Sequence, residues 1–379
     1  MKRYHVLLAT STSWLSFSRM PRLLDMADCS IDVISSSKAL VAQRKFIENR
    51  YFVDRGVEAI ANKLLSHLEE NPLRYDWVII GDDDLFGIVA GRANESVNYW
   101  FPSPRDEESI KFFMSKLTFM QRCRENGFYI APYHICDSLE QALLASVEFG
   151  FPVIVKIAHS VGASGVTRIN SIDELAKYVA TINESFAVQK FVGGKVIEAE
   201  ILFDHGRPRC WMVSELLNCW PKVFGASTAR KLIDVPNMHQ MLEKIGKLTG
   251  YHGFASIDSI LPNDGGPLML SEINPRTTTG YHFDPRIRRE FAHAITEMLE
   301  AKSFQDYTPL SVTGHNEALF PESFYYLSSH LKELNSWKLA LNSLQRVPID
   351  DPMYLFQMAK DFRHFIIGEI KNHTLKPRK

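Results

Sequence analysis

Short apolar runs alternate with helix-forming segments along the first third of the chain. Continuous apolar runs predict buried strands, and apolar residues at helical spacing predict helices between them. The pattern predicts strands at 4–9, 31–35 and 77–80 and helices at 18–27 and 58–70. Strands that alternate with helices are typical of a parallel sheet with helices on its faces. We therefore expect an α/β domain over residues 1–104.

The pattern changes after the Pro-rich linker at 101–104. One helix is predicted at 109–126, with Gly127 as its stop signal. Further elements follow in a mixed order: a helix at 139–149 and strands at 153–157, 166–169, 187–192 and 197–204. This order indicates an α+β domain over residues 105–302, with a small lid subdomain at about 128–192.

Residues 303–379 form a third region with mixed amphipathic patterns, including predicted helices at 322–333 and 352–371. We expect this region to be mostly helical. Three roles remain open for it: packing on the core, covering a substrate cleft, or forming the interface of a homodimer.

A predicted hairpin carries oxygen-bearing side chains at its mouth. The turn signal P-N-D-G-G separates A-S-I-D-S-I-L from L-M-L-S-E-I-N-P-R. A hairpin centred on Gly265 places Asp258 opposite Glu272, and the two-residue period of a strand places Asn274 on the same face as Glu272. Two carboxylates and an amide oxygen suit Mg²⁺, with Mn²⁺ as an alternative. An ordinary hairpin with a polar mouth is the simpler interpretation.

Two lysines and a small-residue loop indicate phosphate binding. Lys156 lies in an apolar strand, where a lysine needs a partner. The loop at 160–165 follows at once, and its backbone N–H groups can close over phosphates. Lys116 either lies on the solvent face of its helix or reaches inward to a phosphate. The strand break after 187–192 can hold an adenine ring between apolar side chains.

Composition and charge limit the classes of partner. A net charge of −1 over 379 residues argues against a nucleic-acid or membrane-surface protein held by bulk charge. No apolar run approaches the length of a membrane span, and the short apolar start favours a first strand over a signal peptide. The five cysteines form no C-x-x-C pair and no zinc spacing, which favours a reducing, cytoplasmic location.

Together these motifs resemble those of the ATP-grasp superfamily, especially its carbamoyl-phosphate-synthetase-like and D-alanine–D-alanine-ligase-like members. The likeness covers residues 105–290 by motif and the first hundred by architecture. It implies an ATP-grasp fold with an N-terminal Rossmann-like domain, here followed by a helical C-terminal extension. It also implies the following roles: Lys116 and Lys156 on phosphates; Ser160, Gly162, Ser164 and Gly165 in the flap; Gln189, Lys190, Phe191 and Val192 on adenine; Asp258, Glu272 and Asn274 on Mg²⁺; and Arg276 on the transferring phosphoryl group.

The resemblance implies an ATP-dependent ligase that joins a small-molecule carboxylate to an amine through an acylphosphate, with Lys156 and Arg276 as catalytic residues. Two departures concern the nucleotide site. Val196 stands where the family carries a ribose-binding glutamate, so Glu198 or Glu200 is expected to replace it, and Gln189 replaces the usual hinge acid. These departures leave open an ATP-binding module with weak or no ligase activity, and a kinase-like member is a third option.

Residues for the second substrate are less clearly indicated. Loops after parallel strands face a ligand crevice, so the loops at 10–13, 35–37 and 81–84 are candidate walls. Within the last of these, an N-cap aspartate is a better interpretation than a second metal site. The remaining candidates are Lys222, Arg230 and Lys231 in a predicted loop at 220–234, the segment 277–280, His282, Arg286 and His159. For His282 and Arg286, a packed or solvated structural role fits equally well.

Overall fold

The first sheet of the protein is parallel and buried on both faces. The computed structural model describes residues 3–53, 56–92, 107–159, 165–220, 225–282, 284–300 and 316–360. Four strands lie in the order β3-β2-β1-β4: β1 (Tyr4–Ala9), β2 (Cys29–Ser35), β3 (Asn49–Phe52) and β4 (Trp77–Ile80). Val6 and Leu8 share one hydrophobic cluster, whereas Leu7 and Ala9 share another. Two covered faces explain the continuous apolar runs, and the predicted parallel α/β sheet is confirmed.

Four helices flank this sheet; the apolar spacing predicts two of them, at 18–27 and 58–70, and misses the other two. They are α1 (Leu15–Ser18), α2 (Met20–Met26), α3 (Val57–Glu70) and α4 (Asp83–Arg92). Asp82 begins α4 as its N-cap, because its Oδ1 accepts a hydrogen bond from the N–H of Leu85 at 3.0 Å. The same carboxylate accepts hydrogen bonds from the hydroxyls of Thr10 at 2.9 Å and Ser11 at 2.8 Å. Asp82 is therefore the N-cap aspartate interpreted from the sequence and joins the loops after β1 and β4. The turn was expected to be solvated, which is wrong, because Asp82 is buried.

The lid contains a second four-stranded sheet in the order β5-β8-β6-β7. Its strands are β5 (Tyr133–Cys136), β6 (Val153–Ile157), β7 (Val166–Ile169) and β8 (Phe186–Lys190). Helices α7 (Leu139–Phe149) and α8 (Ile172–Val179) pack on it around a separate hydrophobic cluster. A core of its own makes the lid a distinct packing unit within the chain.

The largest sheet has six antiparallel strands in the order β13-β12-β9-β10-β11-β14. They are β9 (Gly194–Asp204), β10 (Arg207–Trp220), β11 (Ala226–Leu232), β12 (Gly253–Pro262), β13 (Met269–Asn274) and β14 (Asn316–Ala318). Helix α9 (Met238–Thr249) packs on one face and α10 (Pro285–Leu299) on the other. This sheet carries the predicted metal hairpin at one edge, and its two faces are covered by separate hydrophobic clusters.

Both outer strands of this sheet are covered by short pieces of chain. Three residues of β14 pair with β11. At the other side, Ile130 forms an isolated bridge with Leu270 of β13, and the N–H of Leu270 donates to the carbonyl oxygen of Tyr129 at 2.9 Å. The segment that enters the lid is therefore hydrogen-bonded to the strand that carries Glu272.

Three element predictions need correction. The helix predicted at 109–126 is two helices, α5 (Glu107–Met114) and α6 (Lys116–Glu125), because Ser115 is extended and its hydroxyl caps α6 by accepting from the N–H of Thr118. The loop predicted at 220–234 contains strand β11, whose residues pair with β10. The C-terminal region adds β14 to its helices, which are α11 (Glu322–Ser329), α12 (Leu334–Ser343) and a helical segment at 352–360.

Within the described ranges, every helix is too short or too polar to cross a lipid bilayer. The linker at 101–104 lies outside the described residues. The proposed domain boundaries at 104 and 302 fall in or beside such ranges and stay predictions.

Candidate active site

The mouth of the β12–β13 hairpin has the register that the sequence predicts. Asp258 pairs with Glu272, and Ser256 pairs with Asn274. Ile273 between them points into the core and is 3% exposed. Gly265 in the turn has a φ of 78°, which favours glycine. The two carboxylates and the amide are therefore together on one face of the sheet.

A bulge in this hairpin adds a feature that the sequence does not reveal. The register shifts between Asp258 and Ser259, so Ser271 is an extra residue on β13 without a partner on β12. The amine of Lys156 donates hydrogen bonds to the carbonyl oxygen of Ser271 at 3.1 Å and to its hydroxyl at 3.2 Å. The bulge thereby fixes the lid lysine beside the metal strand.

Both predicted lysines face the hairpin from other elements. Lys116, at the first turn of α6, is 8% exposed and its amine lies 2.8 Å from a carboxylate oxygen of Glu272. The N–H of Lys116 also donates to the carbonyl oxygen of Ala158, just after β6. Of the two alternatives for Lys116, the inward orientation is the one that the structure shows.

The neighbouring strand β9 extends the row of acids. Glu198 pairs in register with Asp258, and Glu200 pairs with Ser256. Cross-strand neighbours on one face have Cβ atoms about 5 Å apart. Three carboxylates, those of Glu272, Asp258 and Glu198, therefore form a continuous row across β13, β12 and β9, which we call the carboxylate row.

Arg230 of β11 balances part of this charge. Its guanidinium donates to both oxygens of Glu198, at 2.5 and 3.1 Å, and lies 3.6 Å from Glu200. The hydroxyl of Thr278 also donates to both glutamates, and the N–H of Tyr281 donates to Glu200. Arg230 belongs to a strand inside the site and not to an acceptor loop, which corrects the expectation for this residue.

Arg276 follows the metal strand and is held in place by partners on three sides. Its Nε donates to both oxygens of Asp83, at 3.0 and 2.9 Å, and its Nη2 donates to the amide oxygen of Asn274 at 3.3 Å. The guanidinium also lies 4.6 Å from the ring centre of Trp14. The N-terminal domain therefore orients the arginine beside the predicted metal ligands.

The electrostatics of the site favour a bound cation. Burial, together with the charges of Glu198 and Glu272, raises the pKa of Asp258 well above its usual value. No hydrogen bond or ion pair joins the Asp258 side chain to another residue in the described ranges. Burial lowers the pKa of Lys156 to about 8, partly offset by Glu272. Burial and the charge of Glu198 raise the pKa of Glu200 to about 8.

A cleft of about 180 Å³ opens in front of the metal hairpin. Lys116, Glu272 and Asn274 line it, together with Asp83 and His159. The ring of His159 hydrogen-bonds the carbonyl oxygen of Met114 at 2.8 Å. The flap residues Ser160, Gly162 and Ser164 lie outside the described residues, whereas Gly165 pairs its carbonyl oxygen with the N–H of Ile157.

The predicted adenine hinge lies at the end of β8. Gln189 is 5% exposed, and its side-chain amide donates to the carbonyl oxygen of Ala131. Lys190 is exposed, while Phe191 and Val192 are half-buried. The backbone after β8 is thus near apolar side chains, as an adenine site requires, and these four assignments stay predictions.

The ribose assignment of Glu198 also stays a prediction, and the geometry favours another role. Both of its oxygens already accept hydrogen bonds from Arg230, and it lies in the carboxylate row. Sequence reasoning missed the pairing of Glu198 and Glu200 with Arg230. The available signal was the E-A-E pattern, since two carboxylates on one face of an apolar strand require a buried cation.

Comparison with known proteins identifies the domain that carries this site. A family model described as an ATP-grasp domain matches residues 114–280, which include both lysines, the hairpin and Arg276. Residues 114–280 form an ATP-grasp domain. The N-terminal section of the carbamoyl phosphate synthase large chain from Methanopyrus kandleri is 26% identical over 190 residues. That match covers 46% of this chain and 31% of the relative, so the chain spans less than a third of that protein.

Solved structures share the fold of the ATP-grasp domain and its flanking regions. The biotin carboxylase domain of 2-oxoglutarate carboxylase from Hydrogenobacter thermophilus, solved as a dimer with MgADP, ADP and bicarbonate, superposes with a TM-score of 0.62 at 15% identity. This match covers 83% of this chain and 74% of that one. An L-amino acid ligase from Bacillus licheniformis gives a TM-score of 0.56 at 15% identity, covering 79% and 75%. These similarities establish the ATP-grasp fold.

Proposed function

We propose that this chain is an ATP- and Mg²⁺-dependent ligase that joins a small-molecule carboxylate to an amine or related nucleophile. The observation that carries the proposal is the meeting of two buried lysines with the carboxylate row. Lys116 contacts Glu272 directly, and Lys156 is fixed to the residue before it. Cations from two other elements that meet the acids of one hairpin, beside a cleft lined by Lys116, Glu272 and Asn274, are what a metal-bound polyphosphate requires.

The residues present fit a divalent cation. Asp258 is a half-buried carboxylate flanked by two others, with no ion-pair partner in the described ranges. Hard oxygen donors of this kind are the ligands that Mg²⁺ prefers. When bound by Asp258, Glu272 and Asn274, Mg²⁺ would neutralise negative charge on the phosphate oxygens of ATP.

The side chains of this chain have separate tasks in the proposed reaction. Lys116 and Lys156 hold the phosphates, and Arg276 lies where it can contact the transferring phosphoryl group. An oxygen of the substrate carboxylate attacks the γ-phosphorus, and ADP leaves. The amine nitrogen then attacks the acyl carbon of the acylphosphate, loses a proton and displaces inorganic phosphate. The closed lid keeps water from the acylphosphate.

The similar proteins support this class of reaction without naming the substrates. One is an L-amino acid ligase, and another was solved with MgADP and bicarbonate. An amino acid is therefore a suitable first test of the carboxylate or of the amine. A dimer, as in the carboxylase structure, is a further proposal that a measured molar mass would test.

The experiment measures ADP release with Mg-ATP across a panel of amino acids and amines. We expect acceptor-dependent ADP release, and Lys156→Met should lower it by about 10²–10³-fold, the usual loss for one transition-state contact. Lys177→Met is the matched control, because Lys177 is an exposed lysine on the same lid. Circular dichroism would show that both variants fold.

Two results would contradict the proposal in different ways. Binding of Mg-ATP without ADP release for any acceptor would support the alternative of a binding module. Absence of Mg-ATP binding to the folded protein would overturn both functions.

A further inference from the structure

A second cavity of about 360 Å³ lies away from the active-site cleft and shares no lining residue with it. It is formed where α1, α2 and the segment after β2 meet α10 and the C-terminal region. Five arginines line it: Arg19, Arg22, Arg44, Arg288 and Arg346. Asp350 is the carboxylate among its described lining residues. We call this cavity the arginine pocket.

Two of these arginines are held rigidly by buried acids behind the wall. Arg19 donates through Nη2 to both oxygens of Glu322, at 2.6 and 2.7 Å. Its Nη1 is buried and has no hydrogen-bond partner among the described residues. Arg44 is 2% exposed; its Nε lies 3.2 Å from Asp351, and its guanidinium stacks 4.0 Å from the ring centre of Tyr354. The two guanidinium groups are thus preorganised within the pocket wall.

The other arginines leave the pocket with an excess of positive charge. Arg22 forms an ion pair with Asp350 at 2.9 Å. No hydrogen bond or ion pair joins the guanidinium of Arg288 to another described residue. Burial lowers the pKa of Arg288; the charges of Arg22 and Arg346 add to this effect, and those of Asp350 and Asp284 oppose it without reversing it. Guanidinium groups that lie close together in a partly buried pocket repel one another. An anion bound among them would offset this electrostatic repulsion.

Apart from Gln345 and Asp350, the rest of the wall is mainly apolar. Leu319, Phe320, Val347, Ile349 and Met358 line the pocket beside the Tyr354 ring. A small inorganic anion would leave these side chains in contact with water. A ligand that combines an anionic group with an apolar or aromatic body would use both kinds of wall.

We propose that the arginine pocket is a binding site for an organic anion, in which a phosphate or carboxylate group on an apolar body contacts Arg19, Arg288 and Arg346. Guanidinium forks match both anionic groups in a bidentate manner. The inference does not depend on the proposed ligase reaction, because the pocket and the active-site cleft have separate linings.

The test is isothermal titration of the full chain, free of nucleotide and metal, with phenyl phosphate, benzoate and inorganic phosphate. We expect phenyl phosphate or benzoate to bind more tightly than inorganic phosphate, and more weakly as salt concentration rises. Arg288→Gln should weaken this binding by about tenfold or more, the loss expected for one charge-assisted contact. Arg289→Gln is the control, since Arg289 is the exposed neighbour on the same helix.

Several outcomes would overturn the inference. One is that phenyl phosphate or benzoate binds the Arg288→Gln variant as tightly as the wild type. Another is that none of the three probes binds the wild type at millimolar concentration. Lys156→Met should bind phenyl phosphate normally, and loss of binding in that variant would move the anion to the active-site cleft. If phenyl phosphate competes with the acceptor for binding, the anion is part of a substrate. If it changes the rate of ADP release without competing, it is an effector. Either result supports the site.

Discussion

Replacement of Asp258 by asparagine should stabilise the metal-free protein and abolish its stabilisation by Mg-ADP. Asp258 lies between Glu272 and Glu198 in the carboxylate row, and burial together with these two charges raises its pKa. A carboxyl group whose folded pKa is raised lowers the stability as the pH rises through that pKa. The wild type should therefore lose stability as the pH rises from the ordinary pKa of an aspartate to the raised pKa of Asp258. The asparagine variant has no group that titrates at this position.

The two effects are large enough to measure. Two unit charges about 5 Å apart repel by about 3 kcal/mol at an effective dielectric constant of about 20. The nearby cations Lys156 and Arg230 offset part of this, so we expect a gain of about 1–2 kcal/mol for the variant near pH 8. Against this, a ligand at about 100 times its Kd stabilises the wild type by about 2.7 kcal/mol. For a chain of 379 residues this corresponds to a shift in Tm of about 3 °C, which should vanish in the variant.

Scanning calorimetry with and without Mg-ADP gives both quantities. Asp264→Asn is the matched control, because Asp264 is the exposed aspartate in the turn of the same hairpin. It should leave both the metal-free Tm and the Mg-ADP shift unchanged. An Asp258→Asn variant that is less stable without metal and retains the full Mg-ADP shift would refute the reasoning about the carboxylate row.

Three further predictions concern other parts of the structure. Arg230→Met should lower the free energy of unfolding in urea by about 3–5 kcal/mol, because two buried glutamates lose their counter-charge. Gly246→Ala should lower the free energy of unfolding by about 3 kcal/mol in the same assay, since the new Cβ would lie 1.9 Å from a carbonyl oxygen of the β9–β10 turn. Gly91→Ala is the control: its Cβ meets no atom within 4 Å, so the free energy of unfolding should change little. Burial opposes ionisation of Asp204, but the interactions with His252 and Arg209 prevail and lower the pKa of Asp204 to about 2. The wild type should therefore lose about 2 kcal/mol between about pH 4 and pH 2, and Asp204→Asn should lose less over that window in acid titrations of unfolding.

The hairpin shows what local sequence can predict. Centring the hairpin on Gly265 predicts Asp258 opposite Glu272, and the structure has this pair. The pairs nearer the turn, such as Ser259 with Leu270, are one residue out of step with that count, so the Asp258–Glu272 pair depends on the bulge. The bulge at Ser271 does not follow from the turn signal, and the amine that contacts Ser271 belongs to Lys156 of the lid, far away in the sequence. Local rules therefore predicted that Asp258, Glu272 and Asn274 share one face, and missed the contact that joins their strand to the lid.

The carboxylate row shows the limit of such rules. Glu198 lies beside Asp258 only because β9 pairs with β12, and the two residues are far apart in the sequence. Arg230 was expected in a loop because the ATP-grasp proteins that the chain resembles have a loop there, near the reacting carboxylate, yet pairing with β10 and β14 makes its segment a strand. Tertiary contacts override local preference at such positions.

The arginine pocket was equally hidden from the sequence. Its arginines belong to segments from both ends of the chain, and no spacing rule connects Arg19 with Arg346. Helix α6 gives a smaller example: the hydroxyl cap of Ser115 divides the predicted helix, and this break is what directs Lys116 inward.

The short covers on the outer strands of the large sheet protect the protein against self-association. An uncovered strand presents a row of free N–H and C=O groups on which another copy can grow by edge-to-edge pairing. Here Ile130 covers part of β13, and β14 covers part of β11. The sheet that holds the carboxylate row therefore has only short stretches of unpaired edge strand with which a second molecule could pair. A chain truncated before residue 316 would expose β11 and should aggregate during refolding, even though every predicted metal ligand and phosphate-binding lysine would still be present.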